Sequence, residues 1–186
     1  MSVTVDEKSL ERINQILSGI EHGAFRAVSS AMRRAGDSAK TQAGRLAAEE
    51  YTITKGTFMG NVDVKTTISG EGGSVTSMNI RYAGHVLPLI AFHTRIMRNG
   101  KVVTEVKRGA GRQELDRAFA ATIGGSLGIH ERVGSARTPT ERKYGPSTAH
   151  MMGSPAVAEK MEQVILDTYD KRIEHEMYRV LNGFGR

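Results

Sequence analysis

Residues 92–107 read FHTRIMRNGKVVTEVK, two β-type stretches on either side of Asn99-Gly100. Thr94, Ile96, Val102, Val103, Thr104 and Val106 are strand-favouring types, and Asn-Gly accepts the positive φ angles of a type I′ turn. A two-residue turn sets the register: Arg98 faces Lys101, Met97 faces Val102, Ile96 faces Val103 and His93 faces Val106. A hairpin in mid-chain rules out an all-helical fold.

Further strands are expected on both sides of it. Val62, Val64, Thr66 and Ile68 alternate until Gly-Glu-Gly-Gly at 70–73 breaks the run. Ser77 to Tyr82 and Leu89 to Arg98 read as strands, with Pro88 at an edge or a strand start because it cannot donate to a ladder. Ala118 to Ile123 and Leu127 to Val133 read as two more around a glycine-rich turn.

The ends of the chain carry helical periodicity instead. Leu10, Ile13, Leu17, Ile20, Ala24, Ala27, Ala31, Ala35, Ala39, Ala43 and Leu46 step by three or four, with Gly19 and Gly23 bracketing a bend or break. The alanine half of that stripe fits a core-facing helix, or a subunit-facing one, and leaves Arg33 and Arg34 on the solvated side. Ser154 as N-cap, Pro155 at the first helical position and Asn182-Gly183 as the stop delimit a C-terminal helix over 155–181. Its apolar face holds Val157, Met161, Val164, Ile165, Ile173, Met177, Val180 and Leu181. At about 40 Å this helix is longer than such a domain needs, so Val157, Met161, Ile165, Ile173, Met177 and Val180 are candidates for a subunit interface.

The fold class expected is therefore α+β: a mostly antiparallel sheet with a protruding hairpin, packed by a long N-terminal and a long C-terminal helix. With 186 residues and 39% hydrophobic composition, one domain is expected. It divides into a helical segment 1–50, a β-rich core 52–134 containing the hairpin 92–107, a linker and corner 135–154, and the helix 155–181.

Composition excludes several function classes. Without Cys there is neither a disulfide framework nor a thiolate metal site. The opening MSVTVDEKSLERI lacks the order of a secretory signal, and no window approaches 18 consecutive apolar residues, so a soluble chain made in the cytoplasm, without membrane contact, is expected. Gly124-Gly125-Ser126-Leu127-Gly128 fits G-x-S-x-G, yet a strand follows where a nucleophile elbow requires a helix. His130-Glu131 lacks the second histidine of a helical zinc motif, and His175 between two glutamates has no histidine at i+4. Neither catalytic residues nor a cofactor or metal is expected.

Charge is segregated. From Arg81 to Lys143 there are 12 Lys and Arg against 5 Asp and Glu, whereas Pro155 to Leu181 holds 4 against 6. The hairpin carries Arg95, Arg98 and Lys101, and the expected register sets Arg98 beside Lys101 at its tip. Like charges so placed call for an acidic protein surface or phosphate as partner. With no Trp and 5% aromatic residues, a base-stacking platform is hard to build.

IHERVG (129–134) and KYGPSTAHMMGSPAVAEKMEQVILDTYDKRIEHEMYRVLNG (143–183) resemble the C-terminal part of prophage minor tail protein Z, the tail-completion family of tailed bacteriophages. LPLIAFHTR (87–95) is similar to the family's Leu-Pro-Leu-x-x-Phe strand, and AFAATIGGSLGIHERVG (118–134) to its glycine-spaced stretch. About 100 residues carry the likeness, and the Tyr144-Gly145-Pro146-Ser147 corner with its preceding Arg-Val-Gly is the most specific part. Thr148-Ala149 departs from the family's Val-Pro. The resemblance implies a non-enzymatic virion protein of the tail or neck, present in the host cytoplasm during assembly. It implies a ring of copies, most simply a hexamer, adjoining the tail terminator, tail tube and head–tail connector, with packaged DNA in the channel. On this reading the corner sets the angle at which the last helix leaves the sheet. A basic DNA-associated or toxin-like protein from a mobile element is the alternative.

Overall fold

The computed structural model describes residues 2–71 and 74–183; Gly72 and Gly73, half of the expected Gly-Glu-Gly-Gly turn, lie outside the described residues. The chain is α+β, with helices in its N- and C-terminal regions and antiparallel sheets between them. It gathers into two compact units, each discontinuous in sequence: residues 1–43, 64–82 and 158–186 form the first, and 44–63 with 83–157 the second.

The first unit opens with a strand that periodicity did not indicate, β1 (Ser2–Thr4), followed by helix α1 (Glu7–Ile16). Asp6 caps α1, its carboxylate accepting from the Ser9 amide at 3.1 Å. The helix is capped at Leu17, two residues before the 19–23 stretch expected as a bend or break, and His22 takes a positive φ (53°) before α2 (Gly23–Glu50), whose residues to Ala43 belong to this unit. β2 (Asp63–Glu71) and β3 (Ser74–Ala83) complete a sheet ordered β1-β3-β2.

The alanine stripe decides how α2 packs. Ala27, Ala31, Ala35, Ala39 and Ala43 are fully buried, which settles the stripe as core-facing, while Arg33 and Arg34 are exposed. At Gly36 an added Cβ would lie 3.0 Å from Thr66 Cγ2 and 3.4 Å from Met78 Sδ, so the helix lies directly on the sheet. The last helix, α5 (Pro155–Leu181), has its predicted bounds, ends at Gly183 with φ +74°, and is tied to α2 by a 3.3 Å bond from Thr168 Oγ1 to Ser38 Oγ.

The second unit holds the end of α2, a short helix α3 (Lys55–Met59) inside the segment expected as β-rich, and three small sheets. The Leu89 to Arg98 stretch is not one strand. β4 (Val86–Pro88) ends at the proline, Leu89–Ala91 forms a 3-10 turn, and only β5 (His93–Ile96) is extended. β5 pairs with β6 (Val102–Glu105), and β6 with β7 (Gln113–Leu115). β8 (Ala118–Ile123) and β9 (Ser126–Arg132) form a hairpin whose Gly124 and Gly125 both have positive φ, and β10 (Thr140–Arg142) joins at β9. Leu89, Val102, Ala118 and Ile129 make the core of this unit, with Ile90, Val106, Leu115 and Ala120 around them.

Candidate functional site

The hairpin register differs by one residue from the expected one. Ile96 pairs with Val102, Arg95 with Val103, Thr94 with Thr104 and His93 with Glu105. The reason is the turn. Gly100 N–H donates to Met97 O (2.9 Å), Met97 N–H donates to Lys101 O (2.8 Å), and only Gly100 takes a positive φ, +82°. This is a three-residue loop with a glycine bulge rather than a two-residue type I′ turn. The slip puts Val102 and Thr104 inward, where both are buried.

That change removes the charge clash expected at the tip. Arg98 sits in the loop, exposed, while Lys101 Nζ pairs with the Glu114 carboxylate on β7, which raises the Lys101 pKa. Arg95, also exposed, lies 3.4 Å from His93 Nε2. Lys107, at the end of the same hairpin, is likewise engaged, with Glu50 at 2.9 Å. The three predicted tip residues therefore form no single cationic point.

The corner is a strand, β11 (Tyr144–Ser147), paired with β4, so the segment expected as linker contains β10, β11 and a further short helix α4 (Thr148–Gly153). Ser147 caps α4 by accepting from the His150 amide at 3.1 Å. The corner thus aims α4, and α5 starts only after a second turn at Ser154. Ser154 has the extended backbone of a cap, yet its hydroxyl donates back to Met151 O (2.8 Å) instead of accepting from α5. Gly145 is needed for space, not for an unusual backbone angle: a Cβ there would lie 2.5 Å from Phe92 Cε2. Thr148, at the departure from Val-Pro, is fully buried and donates to Asn61 O at 3.2 Å. Tyr144 is half exposed, and Pro146 and His150 line an open cleft with Tyr51, Val106 and Ser154.

The predicted interface residues divide. Val157, Met161, Ile165 and Val180 are buried within the chain itself and offer no surface to another copy. The helix turns a different stripe outward in its second half. Ile173 and Met177, half-buried, line a groove of about 320 Å³ in the first unit with Tyr178, Leu181 and the α1 residues Ile13 and Ile16. Ile16, Tyr178 and Leu181 are 44%, 66% and 50% exposed, so this is contiguous uncovered apolar surface. Arg12 stands on the α1 wall, and Asp170 and Glu174 on the α5 wall. Tyr169 lines the floor; burial, with Asp170 nearby, pushes its hydroxyl pKa up to about 12.

Sequence reasoning missed Ile16 and Tyr178. The i, i+3 step from Ile13 to Ile16 was the available signal, but only the pairing of α1 with α5 makes it a groove. Ser126 begins β9, and its hydroxyl accepts from Arg142 Nη2 at 3.2 Å, so the G-x-S-x-G match lies on a strand edge. Among the described residues no helix is long and apolar enough to cross a membrane, and no cluster of His, Asp and Glu could hold a metal ion. Compared with protein-family models, curated proteins and solved structures, the chain matches none.

Proposed function

We propose that this chain is a structural virion protein of a tailed bacteriophage, a tail-completion or minor tail component at the head-proximal tail end or neck. It assembles with copies of itself, most simply as a hexameric ring, and serves tail maturation and head–tail joining. The observation that carries this reading is the open apolar groove between α1 and α5, with unlike charges on its two walls. Arg12 of one copy complements Asp170 or Glu174 of the next, and complementary walls of this kind set the register between subunits. The resemblance of residues 129–134 and 143–183 to the minor tail protein Z family supports the placement in the tail.

The test is assembly. Ile173→Asp with Met177→Asp places two carboxylates in the groove without touching a fully buried side chain. Sedimentation should show the wild-type chain as an oligomer and the double variant as a folded monomer, and tails built with the variant should lack it. A folded variant that enters tails at the wild-type level refutes the assignment of the groove.

A further inference from the structure

The sheet β10-β9-β8 has two unlike faces. Side chains alternate along each strand, and Ala118, Ala120 and Ile129 point into the core of the second unit. The opposite face therefore holds Phe119, His130, Arg132 and Arg142. Phe119, His130 and Arg142 form one row across the three strands, since His130 is paired with both of the others, and Arg132 is paired with Thr140 in the next row. Glu131 and Glu141, at the alternate positions, belong to the other face. The outer face has no carboxylate of its own.

Its cations are held ready without being neutralised. Arg132 lies over the Phe119 ring, 5.7 Å from the centroid, and the His130 ring is 6.2 Å from Phe119. Arg142 Nη2 donates to Leu127 O at 3.0 Å and to Ser126 Oγ, which fixes its fork. Among the described residues neither Arg132, Arg142 nor the exposed Arg137 in the β9–β10 loop has an acidic partner. By contrast Lys101, Lys107 and Lys143 are all paired with glutamates. A second, independent observation comes from Gly128, where a Cβ would lie 2.7 Å from Arg142 Nε and 3.0 Å from His130 Nε2. Those two atoms meet over the glycine, and both, with His130 Nδ1, are buried without a hydrogen-bond partner although His130 is only 5% exposed. Buried nitrogens left unpaired cost stability unless an acceptor or function accounts for them.

We infer that this face binds the phosphate backbone of duplex nucleic acid. Guanidinium groups suit phosphate, and Arg132 and Arg142, diagonal neighbours across two strands, stand about 7–8 Å apart, a spacing that fits separate phosphates of one strand. The face is a sheet surface rather than an enclosed pocket, which favours a polymer over a free phosphate. One aromatic ring, already occupied by Arg132, leaves no platform for unpaired bases, which favours duplex over single strand. Recognition through phosphates alone is independent of sequence. The inference does not rest on ring assembly.

The test uses the full chain and a labelled mixed-sequence DNA duplex, followed by fluorescence anisotropy. With Arg132, Arg137 and Arg142 each displacing counterions, affinity should fall about 40-fold between about 50 and about 200 mM salt. Arg132→Gln should reduce that factor to about 12-fold, losing about one unit of log–log slope. Thr140→Glu sets a carboxylate opposite Arg132, a pairing the folded sheet accepts, and should weaken DNA binding in the same way. Arg95→Gln, on the hairpin, should change nothing, and two duplexes of unrelated sequence should bind alike. Absence of binding at the low salt, binding unaltered in both face variants, or binding of labelled polyglutamate in place of DNA would each overturn the inference.

Discussion

Gly84→Ala probes how the corner is anchored. A Cβ on Gly84 would stand 1.9 Å from Thr148 Oγ1 and 2.5 Å from the backbone oxygen of Asn61. Neither neighbour can move freely. Thr148 is fully buried at the start of α4, and its hydroxyl donates to that same Asn61 oxygen. Relief of the clash must turn the threonine away, which adds overpacking strain of about 1–3 kcal/mol to the loss of a buried hydrogen bond of about 1–3 kcal/mol. The reduced freedom of the unfolded chain returns about 0.4–1 kcal/mol. The net expectation is destabilisation of about 1–5 kcal/mol, read from urea unfolding followed by circular dichroism. Thr148→Ala removes the nearer of the two atoms in the way, so Gly84→Ala/Thr148→Ala should cost at least about 1 kcal/mol less than the sum of the single variants. If Gly84→Ala lies within about 0.5 kcal/mol of wild type, or if the two substitutions add, the close packing inferred at this corner is wrong.

Gly145→Ala should cost about 1–3 kcal/mol by collision with Phe92, and Phe92→Leu should recover part of that loss, measured by the same unfolding assay. Gly100→Ala, at a φ of +82°, should lower stability by about 1–2 kcal/mol, whereas Asn99→Ala should cost less, because Asn99 does not use a positive φ. The Lys143 ammonium, 2.7 Å away, holds the Glu131 carboxyl below the usual carboxylate range. A carboxyl so depressed stabilises the fold above its unfolded pKa and loses that contribution as pH falls through the folded value. The small penalty of Lys143→Ala should accordingly be present at neutral pH and vanish in acid; a penalty that persists in acid would assign it to packing instead.

Local signals were sufficient for some elements. The bounds of α5 were legible because Pro155 and Gly183 act through their own backbone restrictions, whatever lies nearby. The β8–β9 hairpin was legible for the same reason, through Gly124-Gly125. Asn99-Gly100 looked equally local, yet it closes as a three-residue loop, and the one-residue slip goes with burial of Val102 and Thr104 and the pairing of Lys101 with Glu114. Periodicity also identified the apolar positions of α5 but not their partners. Val157, Met161 and Ile165 cover the chain's own interior, whereas Ile173 and Met177 line the groove that α1 borders through Ile13 and Ile16. The outer face of β8–β10 was written in the alternation of Phe119, His130, Arg132 and Arg142. Which parity faces the core, and hence which carries free cations, depends on strand partners far apart in sequence, and the packing of Ala118, Ala120 and Ile129 with Leu89 and Val102 decides it.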